Sequence, residues 1–327
     1  MNKPVSVCPL RSIVERYIHH WRALGRSYNH EAWLLGRLCT FMEASNARDL
    51  DQPCFEAWCG SMEHSTPTVR RRAQLVVRKL CLYRQRTEPD CFVPNPIYFT
   101  RQAPYHAPVI IGPDEIARLL DAIARLPAHP VFPLRKAVMR LAVVLLYTTG
   151  LRRRELVRLT LADVNLEQGT LAIRESKFHK TRFVPLSRDA NSEIRAYLRL
   201  RLAPGPDHSP GSALLGHYTL SGEFTGYMGG ALGRLLTSML KTAQICDSQG
   251  RRPRVHDFRH SFAVQALLRW YRDGANVQAQ LPKLAMYMGH VSIVSTAHYL
   301  HWIPDIATAA NRRFEAQWGK LIPGEPS

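Results

Sequence analysis

The chain has 327 residues, 46% of them hydrophobic, and carries 44 Lys+Arg against 26 Asp+Glu for a formal charge of +18. Ordinary apolar content at this length predicts two folded domains, and the longest apolar run, Leu141 to Tyr147, is far too short to cross a bilayer. The positive surplus points to a polyanionic partner, while seven cysteines with no C-x-x-C pair argue against a disulfide framework or a zinc site.

The opening residues MNKPVSVCPLRS lack an extended apolar segment, so a reducing, cytoplasmic setting is expected. Residues 1–90 read as helical. A first helix places Ile13, Tyr17, Ile18 and Leu24 at helical spacing, and a second does the same with Trp33, Leu34, Leu38 and Phe41. A short third helix covers LDQPCFEAWCGSM. The fourth starts with Thr66 as N-cap and Pro67 in the first turn. It is expected to turn Leu75, Val76, Leu80 and Leu82 inward and to leave Arg70, Arg71, Arg78 and Lys79 to solvent or a polyanion.

Residues 91–110 form the expected linker, since Pro89, Pro94, Pro96, Pro104 and Pro108 forbid a regular helix across this stretch. The remainder, 111–327, starts with a helix after Gly112-Pro113 and a nearly all-apolar core helix from Leu134 to Thr148. A turn at Gly150 leads into a helix with Leu156 and Leu159 inward. The segment GTLAIRESKFHKTRFVPLS reads as two strands joined near Phe178-His179. Helices are expected at 190–202 and 229–243, an irregular surface loop at 204–226, and a short basic loop at 247–254. One more amphipathic helix is expected from Asp305 to Leu321, suited to docking on a neighbouring copy. The fold class is therefore mainly α with a small antiparallel β-sheet, in two domains.

Chemistry concentrates between His256 and Tyr299, where His256, Arg259, His260, His290, His298 and Tyr299 are spread over several short helices. Arg, His and Tyr gathered in this way suit a phosphodiester: a guanidinium fork for the oxygens, an imidazole for protons, a phenol as nucleophile. A phenol with an ordinary pKa near 10 is a poor nucleophile at neutral pH by roughly 4 kcal/mol, a deficit that surrounding cations must offset.

The motifs resemble those of the tyrosine recombinases, the group of phage integrases and Xer-type enzymes. Thr149-Gly150-Leu151-Arg152-Arg153-Arg154-Glu155-Leu156 is similar to T-G-x-R-x-x-E-L. His256-Asp257-Phe258-Arg259-His260 is similar to H-x-x-R-H; Gly289-His290 follows, and Tyr299 lies nine positions beyond His290. In the hairpin, Ser176-Lys177-Phe178-His179-Lys180-Thr181-Arg182 replaces both glycines of the usual G-K-G, so Lys177 and Lys180 are rival lysines.

The resemblance implies a core-binding domain at 1–90 and a catalytic domain at 111–327. It implies catalytic Arg152, Lys177, His256, Arg259, His290 and Tyr299, with Glu155 and His260 supporting them. Arg70, Arg71, Arg78, Lys79, Arg153, Arg154, Lys180 and Arg182 are the candidate DNA contacts. Tyr299 is expected to attack a scissile phosphate of duplex DNA, giving a 3′-phosphotyrosyl intermediate, with no metal or other cofactor. The implied assembly is a C-shaped clamp, four protomers on two duplexes; the diverged hairpin and the basic stretch before His256 depart from the Xer pattern and favour integration of a mobile element over chromosome-dimer resolution. A relaxing topoisomerase and a non-catalytic DNA-binding relative are the alternatives.

Overall fold

A computed structural model describes residues 8, 10–104, 106–174, 181–203 and 209–289, together with 296 and 299. The chain divides into two compact units, 1–106 and 107–327. Among the described residues no helix is long and apolar enough to cross a membrane.

Among its described residues the first unit contains four α-helices: α1 (Arg11–Ala23), α2 (Asn29–Ala44), α3 (Gln52–Gly60) and α4 (Pro67–Arg84). Asp51 caps α3 by accepting from the Cys54 amide at 2.8 Å. Tyr17, Leu35, Leu38, Met42, Trp58, Val77 and Leu80 meet in the core. Two faces differ from the sequence expectation. On α2 the buried stripe is Leu34, Leu35, Leu38, Cys39 and Met42, and Trp33 is 57% exposed, stacked on His30 with Arg37 over its ring. On α4 the buried residues are Ala73, Gln74, Val76, Val77, Leu80 and Cys81, leaving Leu75 and Leu82 exposed. In both helices one stripe turns to the core, through Leu35, Leu38 and Met42 on α2 and Ala73, Val77 and Leu80 on α4, and Trp33, Leu75 and Leu82 lie off it.

Most of the proline-rich stretch belongs to this unit. Phe92, Val93 and Phe99 pack against its core, and Thr100 donates its amide to Gln74 Oε1 at 2.9 Å. Arg71 Nη1 donates to Thr100 O at 2.9 Å and Arg78 Nη1 to Pro94 O at 2.5 Å. Proline cannot donate to a ladder, so side chains of α4 satisfy these carbonyls instead. Two arginines expected to face DNA thus each commit a donor within the unit.

The second unit is built around α6 (Arg135–Thr149), whose Val138, Met139, Ala142, Val143, Leu145 and Leu146 are fully buried. Ahead of it lies α5 (Pro113–Ala124), its first turn fastened by the Gly112 amide donating to Glu115 Oε2 at 3.0 Å. After it come α7 (Arg153–Arg158) and the antiparallel sheet β1 (Val164–Asn165), β2 (Thr170–Ile173) and β3 (Arg182–Pro185). Leu171 faces Val184 and Ile173 faces Arg182 across the β2–β3 pair. The residues joining those strands, including Lys177 and Lys180, lie outside the described residues.

Next is α8 (Arg188–Leu202), and then a difference from expectation. The segment expected to be irregular contains a hairpin, β4 (Gly216–Tyr218) with β5 (Phe224–Gly226). A side chain at Gly216 would come within 2.4 Å of Thr225 O, so glycine permits the close pairing. The hairpin encloses the fully buried Arg201, whose guanidinium lies 4.0 Å from the Phe224 ring centroid and donates to Ser212 Oγ and Ala213 O. Glycine-rich strands of three residues lack a readable alternation, which hid them in the sequence. The unit continues with α9 (Gly229–Thr242), α10 (Asp257–Arg272) and α11 (Val277–Met288). The helix expected at 305–321 lies outside the described residues.

Candidate functional site

Gly150 ends α6 in the left-handed conformation, φ +61°, and a Cβ there would stand 2.5 Å from Phe262 Cδ1. Only glycine allows this reversal at this proximity. It places Arg152 at the N-cap of α7, where its amide donates to Glu155 Oε2 at 2.9 Å and its Nη1 to Glu155 Oε1 at 2.8 Å.

Glu155 is buried and also takes both prongs of Arg182, Nη1 to Oε1 at 3.1 Å and Nη2 to Oε2 at 2.9 Å. Burial favours the neutral carboxyl, but the hydrogen bonds and charge of Arg182, with those of Arg152, outweigh it and hold the pKa down to about 2. Glu155 is therefore ionised at neutral pH, aligning two arginines.

Three arginines converge on one helix end. The last carbonyls of α11 accept in succession: Tyr287 O from Arg182 Nε at 2.9 Å, Met288 O from Arg259 Nη2 at 2.5 Å, Gly289 O from Arg152 Nη2 at 3.0 Å. These carbonyls carry the negative end of the helix dipole and have no intrahelical partners, so guanidinium donors suit them. Gly289 adopts φ +65°, turning its carbonyl out of the helix. Arg259, 2% exposed, also donates Nη1 to Gly150 O at 2.7 Å. Burial first, then the Arg152 charge, lowers its pKa to about 9, which leaves it protonated at pH 7.

His256 caps α10, and His260 lies one turn further on. Their rings meet edge-on, centroids 4.8 Å apart, and the Tyr299 ring lies 5.4 Å beyond His260. Desolvation, then the Arg259 charge, pulls the His256 pKa below its ordinary value; desolvation and His256 bring His260 down to about 4. Asp257, buried between them in sequence, accepts from the Arg254 amide at 2.9 Å and fastens the basic loop to α10. Tyr299 is 6% exposed, packed with Val264, Leu267, Leu281, Leu284 and Met288, and is near enough to Arg259 for their charges to interact.

A cavity of about 760 Å³ opens on Arg152 and His256, and Arg153, Arg154, Arg234, Arg252 and Arg254 complete its basic lining. Gly233 of α9 makes room for Arg153, whose Nη1 would lie 2.6 Å from a Cβ at that position. The surface that could receive an anion thus reaches the candidate catalytic arginine.

The structure brings together Arg152, Glu155, His256, Arg259, His260 and Tyr299 from elements up to about 150 residues apart in the chain. Lys177, Lys180, His290, His298 and His301 lie outside the described residues. Arg153 and Arg154 are exposed at the cavity, whereas Arg70, Arg71, Arg78 and Lys79 belong to the first unit. Arg182, expected as a DNA contact, has a mostly buried side chain that donates three hydrogen bonds, to Glu155 and to Tyr287 O. Its signal was present, because strand alternation puts Arg182 on the same face as the buried Val184. Arg234, Arg252 and Arg254 were not singled out; they lack a motif and gain meaning only by facing the same cavity.

The profile of the Phage integrase family matches residues 110–304. An integrase/recombinase of Sinorhizobium fredii is 33% identical over 92% of this chain and 94% of its own length. Tyrosine recombinase XerD of Vibrio cholerae is 26% identical over 90% of this chain and 93% of its own. Among solved structures, the Tn1549 transposon integrase in complex with a circular intermediate DNA shares the fold. It has a TM-score of 0.62 and 18% identity, and the match covers 95% of this chain and 100% of that one. A lambda integrase dimer bound to a core site matches with a TM-score of 0.56 at 16% identity, over 89% and 94% of the two chains. With the family profile covering more than half its length and a relative similar nearly end to end, the chain belongs to the phage integrase family and is a tyrosine recombinase.

Proposed function

We propose that the protein cuts and rejoins duplex DNA at a specific core site through a 3′-phosphotyrosyl intermediate on Tyr299. The observation that carries this reading is the convergence of Arg152 and Arg259 on adjacent carbonyls of α11, with Tyr299 packed against the same helix pair. Two fixed guanidinium groups offer donors to the non-bridging oxygens of a phosphate and stabilise the charge that builds on them. The phenol oxygen of Tyr299 bonds to phosphorus as the bond to the 5′-oxygen breaks. His256 assists the phenolic proton, Lys177 or Lys180 protonates the leaving 5′-oxygen, and His290 hydrogen-bonds the phosphate. Energy of the broken ester is conserved in the protein–DNA ester, so rejoining needs no nucleotide.

The basic cavity beside Arg152 is the entry for the DNA backbone, and the 1–106 unit is the core-binding part, with Arg70, Arg71, Arg78 and Lys79 as its DNA-facing candidates. Four protomers on two duplexes, the segment 305–321 docking between them, and service to a mobile element in the cytoplasm complete the proposal. A similar solved structure whose title names a transposon integrase, and the match to the phage integrase family, support it.

The test is covalent trapping on a pool of nicked duplexes with a randomised centre. Wild type yields an adduct resistant to detergent, Tyr299→Phe yields none, and the recovered sequences align to one core. No wild-type adduct would reject the cleavage chemistry. An adduct with no sequence preference and no strand exchange would favour a relaxing topoisomerase.

A further inference from the structure

We propose that His260 is the positioning residue for the nucleophile: its flat ring, standing between His256 and Tyr299, sets the direction of the Tyr299 phenol. This rests on the recombinase reading above.

Three observations carry it. His260 is the one described side chain in ring contact with both neighbours, edge-on to His256 at 4.8 Å and 89°, tilted to Tyr299 at 5.4 Å and 59°. Its place one turn after His256 on α10 is fixed from below by the buried Arg259 and Ser261 on either side. Its Nδ1 is buried and has no hydrogen-bond partner among the described residues. Among the described residues nothing engages this nitrogen, so the contacts of the ring with its two neighbours are what it supplies there.

Shape is the better account. The ring is neutral at pH 7, since burial and the His256 and Arg charges around it oppose a proton. A base this weak is poorly matched to a phenol. Neutrality also keeps a further positive charge from crowding Arg259 and Arg152. What His260 supplies is a flat ring against that of Tyr299, which is otherwise packed in the apolar cluster of Val264, Leu267 and Leu284. Ring contact and apolar packing together limit the freedom of the phenol beside Arg259, with whose charge it interacts.

The experiment compares His260→Phe, which keeps a flat ring without nitrogens, with His260→Leu, which keeps apolar packing without a ring. Single-turnover cleavage of the nicked duplex recovered by trapping is measured together with Kd for that duplex. The same proteins carry 3-fluorotyrosine at 299 for ¹⁹F NMR without DNA. Expected are cleavage slowed by about 30-fold or more in His260→Leu at unchanged Kd, and a rate within about threefold of wild type in His260→Phe. The fluorine resonance of His260→Phe should stay single, and that of His260→Leu should shift or split. Wild-type cleavage by His260→Leu, or equal loss in both variants, overturns the proposal; equal loss would assign the nitrogens a chemical role. If wild type forms no adduct at all, the recombinase reading fails by itself, and the NMR arm still decides: identical resonances in all three proteins overturn the seat.

Discussion

Arg152 and Arg259 come from elements more than a hundred residues apart, yet they donate to neighbouring carbonyls, Gly289 O and Met288 O. The end of α11 is therefore a template that spaces two guanidinium groups by one residue of helix. Arg182 on Tyr287 O extends the same row. Any change that tilts this helix end is expected to move both candidate phosphate ligands together.

Gly150→Ala tests one border of that template. The substitution forces a Cβ to 2.5 Å from the Phe262 ring at a left-handed φ, and it shifts the carbonyl that Arg259 Nη1 uses. Urea unfolding should show a loss of roughly 1–3 kcal/mol, with cleavage falling further than stability explains. Gly36→Ala is the control. It lies inside α2 at ordinary φ with open space around it, and should raise stability by about 0.4–1 kcal/mol.

Glu155→Ala leaves Arg152 and Arg182 without their shared buried carboxylate. Breaking such a pair from one side costs about 3–5 kcal/mol, so the melting temperature of the second unit should drop sharply. Arg182→Lys should also destabilise it, because an ammonium cannot reproduce the two-pronged bond to Glu155 while reaching Tyr287 O.

Acid should act through the same carboxylate. Its pKa is depressed from 4.5 to about 2 in the folded chain, so its stabilisation is fully present above pH 4.5 and is lost as pH falls through 2. Titrating unfolding free energy from pH 5 to 2 should reveal on the order of 3 kcal/mol that is missing from the slope of Glu155→Gln.

Arg153→Ala and Arg154→Ala should separate DNA affinity from fold. Both side chains are exposed at the basic cavity, so melting should change little. Each should weaken duplex binding and reduce the slope of log K against log salt by about 1. Arg182→Ala should do the opposite, lowering stability first; a pure affinity loss there would refute its assignment as a brace.

Much of the site was legible because its spacing is local to motifs. Gly150 with Arg152 and Glu155 lies within six residues, and His256 with Arg259 and His260 within five, so each cluster shares one helix start. Helix positions followed from apolar periodicity and from Pro and Gly at the ends. What misled was the identity of each buried face. Trp33 and Leu75 are large and apolar, yet the helix contacts they would enter are filled by Leu35 and Val76. The proline-rich stretch read as a free linker because no sequence rule announces that Arg71 and Arg78 will satisfy its carbonyls.

The sequence by itself determined the family, since residue types, their order and their spacing carry the recombinase motifs. Only the tertiary structure decided which arginines are held in buried ion pairs and which face solvent. Arg153, Arg154 and Arg182 are alike in composition, but one buried carboxylate and one helix end claim Arg182 and leave the other two to solvent. The reason is physical: a guanidinium's role is fixed by which acceptors surround it once water is excluded, and those acceptors arrive from distant parts of the chain.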